Sequence, residues 1–340
     1  FRVEGLVDDM ESLRVTPPSH RKDVAMAADL VEEVGRIHGY DRMAPTLIRD
    51  ELPPQQRNLA LEGTELIRDV LTGCGLVEVI TYSMIALEDE RKLHPERASV
   101  DEGDYLRVRN PLAAERAHLR RRLLAEGLNT LRVNLRFGRR VPIFDIGAVC
   151  LPRPGAVLPE EPPRLCALLT GPREPASWQA GVAVQAGAGF DFFDAKGLAE
   201  TLLERLEVPD AGWAYGADAS YHPGRSAVLQ IGGVAVGQLG ELHPRVADAF
   251  GLPAQPVCAV ELDVRALLRQ WHEDRQMAPL STHPPVYEDL AFIVDAALPA
   301  ERVQALIAET GRPLLRAVEL FDLYTGEQIG LGKKSLAYAL

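Results

Sequence analysis

The sequence predicts an α+β protein of several domains, and three observations carry that prediction. The chain has 340 residues, more than one ordinary compact domain holds, so two or three units are expected. Between 227 and 262, short strand-like runs follow one another closely, with Gly232-Gly233 turning one into the next, which is the mark of an antiparallel sheet. After Pro284-Pro285 the order becomes β-α-β-β, the first two-thirds of a ferredoxin-like βαββαβ unit.

Residues 1–22 read as short extended pieces, and Pro17-Pro18 stops any helix there. A helix fits 24–39, with Gly39 at its end; 41–57 holds Pro45, Pro53 and Pro54 and reads as a linker. A second helix fits 58–73, where Leu59, Leu66, Ile67, Val70 and Leu71 recur at helical spacing. Alternation and β-branching predict strands at 77–85, 105–108 and 141–150, and the arginine-rich stretch 114–137 between them reads as helical. Five prolines make 151–163 a loop. A strand at 165–170 and a helix at 194–206, striped by Leu198, Leu202, Leu203 and Leu206, come next. Strands at 227–231, 234–239 and 257–262 lead to a change of character at 270–285. The last part holds strand 290–294, helix 300–310 and strands 317–323 and 335–339.

Composition excludes several classes. Apolar residues make up 46% and charged residues 25%, close to the globular average, which argues against disorder, collagen and coiled coil. No apolar run approaches the ~20 residues that span a bilayer, so no membrane role is expected. The four cysteines, at 74, 150, 166 and 258, have neither metal nor redox spacing, which fits a reduced, cytoplasmic protein. The eight histidines form no zinc pattern. The chain starts at Phe1, and the expectation is a piece of a longer polypeptide. The net charge of −12 argues against a general grip on nucleic acid, DNA included, but leaves room for local patches. One such patch is 116–140, with eight arginines and a single acid, Glu126.

Three groups of residues carry candidate chemistry. On a wheel of 100° per residue, Leu30, Val31, Val34 and Ile37 share one face of the first helix, and Asp29, Glu32, Glu33 and Arg36 share the other. Asp23 stands before that helix and suits its N-cap. By spacing alone this is either a solvated face with a Glu32–Arg36 pair or a loose Mg²⁺ site of Asp23, Asp29, Glu32 and Glu33. Arg116, Arg120 and Arg121 fit either phosphate or RNA binding or pairing between subunits. Lys333-Lys334, in a glycine-bearing segment at a strand entrance, is either solvated or a phosphate contact. No phosphate-binding loop and no nucleophile elbow occur. His222-Pro223-Gly224-Arg225 and His243-Pro244 read as turns, and no catalytic residue is assigned.

The order of the motifs then points to a family. VTPPSHRKD at 15–23 runs into DLVEEVGRIHGYD at 29–41. GLVEVITYSMI at 75–85, NPL at 110–112, LRRRLLAEGLNTLRVN at 119–134 and PIFDIGAV at 142–149 follow. FFDAKG at 192–197, HPGRSA at 222–227 and GELHP at 240–244 come next, then PPVYEDLAFIVD at 284–295, LFDLYTG at 320–326 and GKKSLAY at 332–338. Across nearly its whole length the chain resembles the β subunits of bacterial phenylalanine–tRNA ligases.

That resemblance implies an architecture and a role. Residues 1–44 would be the second half of a winged-helix-like domain, 45–57 a linker, 58–265 a degenerate class II synthetase module on an antiparallel sheet, 266–278 a linker, and 279–340 a truncated ferredoxin-like anticodon-binding domain. It also favours Mg²⁺ for the acids, because the family's site, shared with the α subunit, has a D-x5-D-x2-E-E spacing that Asp23, Asp29, Glu32 and Glu33 reproduce. The class II motifs whose arginines hold ATP are not readable around Phe144-Asp145 or after it. The resemblance thus implies a non-catalytic chain of an α₂β₂ ligase, which scaffolds the assembly and binds tRNA-Phe while the α subunit uses ATP to attach phenylalanine. Lys333 and Lys334 would serve tRNA binding. The rivals are a self-sufficient Mg²⁺-dependent phosphohydrolase and a free-standing RNA-binding scaffold.

Overall fold

The computed structural model describes residues 1–6, 9–96, 100–175, 189–271, 277 and 282–340. It is mixed α and β, and it divides into two compact units, Phe1–Asp69 and Val70–Leu340. In the first unit, Arg2–Leu6 (β1) pairs antiparallel with Asp9–Thr16 (β2). Ala27–His38 forms α1, closed by Gly39 at φ +95°, a conformation that favours glycine. The helix starts later than its apolar pattern suggested. Its apolar face is open to solvent, with Val31, Val34 and Ile37 all about 70% exposed or more. Leu59–Gly73 (α2) contains the division between the units.

The second unit is built on a seven-stranded sheet. Its strands are Val77–Glu78 (β3), Ile143–Ala148 (β6), Pro163–Thr170 (β7), Ala211–Tyr215 (β8), Tyr221–Ile231 (β9), Val234–Leu242 (β10) and Val257–Asp263 (β11). Met84–Ile85 (β4) and His118–Leu119 (β5) pair separately. The spatial order is β3-β6-β7-β11-β10-β9-β8, antiparallel throughout except for the parallel β3–β6 pair. The helices of this part are Leu87–Lys92 (α3), Leu124–Asn134 (α4), Phe192–Arg205 (α5), Pro244–Ala249 (α6) and Val264–Leu268 (α7). The main core forms where α4 lies on the sheet: Leu124, Leu128 and Leu131 meet Cys166 and Leu168 of β7 and Ala259 of β11. Gly127 permits this close approach, since a Cβ there would stand 3.1 Å from the Leu168 side chain. The leucine stripe of α5 is buried at Leu198, Leu202 and Leu203, as its spacing predicts.

Several predicted elements come out differently. The strand expected at 77–85 is broken into β3 and β4, and between them the carbonyls of Thr81 and Tyr82 accept from Arg120. The helix expected over 114–137 is confined to α4. Residues 117–120 spend their backbone groups across short extended contacts instead: Val108 N–H donates to Ala117 O, Leu119 N–H to Leu106 O and Arg120 N–H to Ser83 O. The strand expected at 105–108 is reduced to a single bridge, Arg107 to His118. His222–Arg225 lies inside β9, where the register with β10 shifts, and not in a turn. His243 caps α6, its Nδ1 accepting from Arg245 N–H ahead of Pro244. Gly232 and Gly233 do turn β9 into β10, both at positive φ.

The final segment holds Asp289–Asp295 (β12), Ala300–Thr310 (α8), Glu319–Tyr324 (β13) and Lys333–Ala339 (β14), with the sheet in the order β12-β14-β13. This is the β-α-β-β order read from the sequence. Tyr338 is fully buried and its hydroxyl donates to Ala300 O, tying β14 to α8. Among the described residues no helix is long and apolar enough to cross a membrane.

Candidate functional site

The acids of the first unit are brought together, but around an arginine. Nε of Arg21 lies 3.0 Å from both Asp23 oxygens, and its Nη2 reaches Asp23 Oδ2 at 2.7 Å and Glu33 Oε1 at 2.6 Å. Arg36 Nη2 donates to the other Glu33 oxygen at 2.7 Å. The expected Glu32–Arg36 pair is therefore replaced by Glu33–Arg36, three residues apart on the helix. Asp29, and not Asp23, caps α1: its Oδ2 accepts from Ala25 N–H and Met26 N–H at 2.7 and 2.8 Å. Glu32 is exposed. Hydrogen bonds from Arg21 hold the Asp23 carboxyl below its ordinary range, and those from Arg21 and then Arg36 push Glu33 down to about 2. The Ala25 and Met26 amides lower Asp29 in the same way.

This arrangement does not fit a magnesium ion. Mg²⁺ takes near-octahedral oxygens at ~2.0–2.1 Å, usually from one or two carboxylates with waters completing the shell. Here Asp23 and Glu33 face guanidinium nitrogens, and one Asp29 oxygen is spent on the helix N-terminus. Among the described residues no three His, Cys, Asp or Glu side chains form a group that could hold a metal.

The arginine stretch is divided by the fold. Arg120 is 4% exposed, so it cannot reach a phosphate or a partner surface as the sequence suggested. Its Nε donates to Ala148 O at 3.0 Å, and its Nη1 donates to Thr81 Oγ1 at 2.7 Å and approaches Asp145 Oδ2 at 3.5 Å. The Thr81 hydroxyl in turn donates to Asp145. Gly147 makes room, since a Cβ there would meet Arg120 Nη2 at 2.1 Å. Burial raises the Asp145 carboxyl and lowers the Arg120 guanidinium, each opposed by its partner. Arg116 bonds Glu126 at 3.2 Å, and Arg121 meets Asp104 at 3.3 Å and lies over the Tyr105 ring.

The sequence did not single out Arg122, which is the hub of the central module. Its guanidinium meets both Glu261 oxygens, Asp218 at 3.0 Å and Ser220 at 3.2 Å. Tyr221 O–H donates to Glu261 at 2.9 Å, and Gln238 donates to Asp218 and Glu261. Burial works against the charge, yet Glu261 and Asp218 keep Arg122 protonated well above its ordinary value. This network lines a cleft of about 430 Å³ with Arg121, Arg164 and apolar residues of β10 and β11. No local signal could have found it, because its partners lie 98 and 139 residues away. The remaining arginines of the sheet are also paired, Arg164 with Asp263 and Arg225 with Glu241.

The two lysines of the last segment are separated. Lys333 stands opposite Asp295 and Lys334 opposite Val294 in β14, so they point to opposite faces of the sheet. Lys334 shares its face with Leu336 and Tyr338, the side that α8 covers, while exposed Lys333 shares its face with Ser335 and Ala337.

Three family profiles match the chain in order. The tRNA synthetase B5 domain matches 2–40, the phenylalanyl tRNA synthetase beta chain CLM domain 44–264, and the ferredoxin-fold anticodon binding domain 281–340. The phenylalanine–tRNA ligase beta subunit of Dehalococcoides mccartyi is 35% identical over 338 residues, covering 99% of this chain and 40% of that protein. Those of Moorella thermoacetica and Symbiobacterium thermophilum are 38% and 37% identical, with 40% and 36% of their lengths covered. The chain thus spans about two-fifths of the length of these curated relatives. Among solved structures, a pyrrolysyl-tRNA synthetase of Desulfitobacterium hafniense aligns with TM-score 0.47 at 16% identity, over 61% of this chain and 67% of that one.

Proposed function

The chain belongs to the phenylalanyl-tRNA synthetase β-chain family, and on that premise we propose that it is a non-catalytic part of a phenylalanine–tRNA ligase, scaffolding an α subunit and contacting tRNA-Phe. The observation that carries this reading is the run of three family matches from residue 2 to residue 340, in the order the β chain requires. The division proposed with it is 1–44 as a partial winged-helix-like domain, 58–265 as the synthetase-like module and 279–340 as a partial anticodon-binding domain, joined by linkers at 45–57 and 266–278.

The geometry of the module supports its being a scaffold. An active site for adenylate chemistry needs guanidinium groups free to meet phosphate charge. Arg120, Arg122, Arg164 and Arg225 of the central sheet region are each bound to a carboxylate of the same chain. Those pairs stiffen the module and leave ATP and phenylalanine to the α subunit, in an α₂β₂ assembly of the cytoplasm. The rival hydrolase draws no support from acids tied to Arg21 and to a helix N-terminus.

Co-expression with an α subunit tests the reading. The pair co-elutes on sizing, and the isolated chain shows no phenylalanine-dependent pyrophosphate exchange. Exchange by the isolated chain, or separate elution of the two chains, overturns it.

A further inference from the structure

The eight arginines of 116–140 divide into two groups. Arg116, Arg120, Arg121 and Arg122 are answered by Glu126, Asp145, Asp104 and Glu261. The later four are not. Arg132, Arg136 and Arg139 are exposed and form no ion pair or side-chain hydrogen bond among the described residues. Arg140 meets the Arg173 carbonyl at 3.4 Å and lies 5.1 Å from the centre of the Phe190 ring. The segment 132–140 contains no acid, and Phe137 in its middle is 86% exposed.

This patch stands on a fixed frame. Helical winding continues past the end of α4: Leu135 N–H donates to Leu131 O, and Phe137 N–H and Gly138 N–H both donate to Asn134 O. Arg132 and Arg136 are therefore one turn apart on the same side, with Phe137 next to them. Beyond them Val141 N–H donates to Thr170 O at 3.0 Å, which fastens the segment to the end of β7. The carbonyl end of a helix supplies about half a negative charge, too little to answer three guanidiniums. Guanidinium forks match phosphate oxygens, and an open aromatic ring beside them offers a stacking face to an unpaired base. An acidic protein surface answers the arginines but leaves the ring without a role. We propose that Arg132, Arg136, Arg139 and Phe137 form an RNA-binding patch, with the arginines on phosphates and the ring on an unpaired base. The choice of RNA among polyanions rests on the function proposed above.

Anisotropy of a labelled tRNA-Phe transcript on the 340-residue chain, across a salt series, tests it. Arg132→Gln, Arg136→Gln and Arg139→Gln together weaken binding at least about tenfold and lower the salt slope by about two to three, one phosphate for each arginine. Phe137→Ala weakens binding about tenfold and leaves the slope unchanged. Ultraviolet cross-linking of the native chain to the same RNA, mapped by mass spectrometry, places a cross-link at Phe137 and needs no variant. No RNA binding by the native chain, an unchanged affinity and slope in the triple variant, or no cross-link within 132–140 overturns the proposal. So does a triple variant that keeps RNA binding but no longer co-elutes with the α subunit, which gives the patch to an acidic protein surface. A native chain that binds RNA through these residues but does not co-elute with the α subunit overturns the ligase reading and leaves the patch standing.

Discussion

Arg120 and Asp145 show how a single buried residue is committed to stability. Both are about 5% exposed, and removing one partner leaves the other charged and unpaired in the interior. Arg120→Met is expected to cost about 3–5 kcal/mol in urea unfolding, and Arg120→Met combined with Asp145→Leu to recover most of the loss. Glu90 tests the opposite case, a carboxyl whose burial favours its neutral form. Burial pushes it up to about 7, while Tyr105 O–H and Arg122 pull it down and Glu261 and Asp89 push it further up. The folded chain therefore keeps a proton that the unfolded chain has lost between the ordinary carboxylate range and about pH 7. Stability falls as pH rises through that window. Urea midpoints measured across it will show this slope in the native chain and a shallower one in Glu90→Gln.

At the scale of elements, helix α5 owes its start to a reciprocal pair of side chains, Asp191 and Asp194. Asp191 accepts from Phe193 N–H at 2.8 Å and from Asp194 N–H, and the Asp194 carboxylate accepts in turn from Asp191 N–H. Asp191→Ala is expected to destabilise the chain by about 1 kcal/mol in urea unfolding, the usual worth of an N-cap. Strand β14 makes a functional prediction by its alternation. If the last segment meets tRNA, Lys333 on the open face does so, and Lys334 on the α8 side does not. Lys333→Ala will weaken tRNA binding and lower its salt slope by about one, while Lys334→Ala leaves both unchanged. Anisotropy of labelled tRNA across a salt series, with the α subunit present, separates the two.

At the scale of the molecule, the negative charge and the paired arginines belong together. A chain of net charge −12 can hold an arginine-rich stretch without becoming a general nucleic-acid binder when its arginines are answered by acids of the same fold. On the proposed function, tRNA would then meet only local surfaces, and raising salt is expected to release it with a shallow slope. That slope, measured for the assembled ligase, is expected to be smaller than eight arginines acting on phosphate would give.

By itself the sequence determined the mixed α and β class, the Gly232-Gly233 turn, the leucine stripe of α5 and the β-α-β-β order of the last segment. Each of these is set by a few neighbouring residues: two glycines at positive φ, a 3.6-residue period, or an alternation of two. Only the tertiary structure decided what the charged residues do. Arg120, Arg121 and Arg122 are adjacent in the chain yet end with Asp145, Asp104 and Glu261, partners supplied from 17 to 139 residues away. Local pattern places a charge on an element, but its partner is chosen by which distant backbone the sheet brings beside it. The acids of α1 follow the same rule at shorter range, where Arg21 stands between Asp23 and Glu33, carboxylates whose spacing alone fits either a solvated face or a metal site.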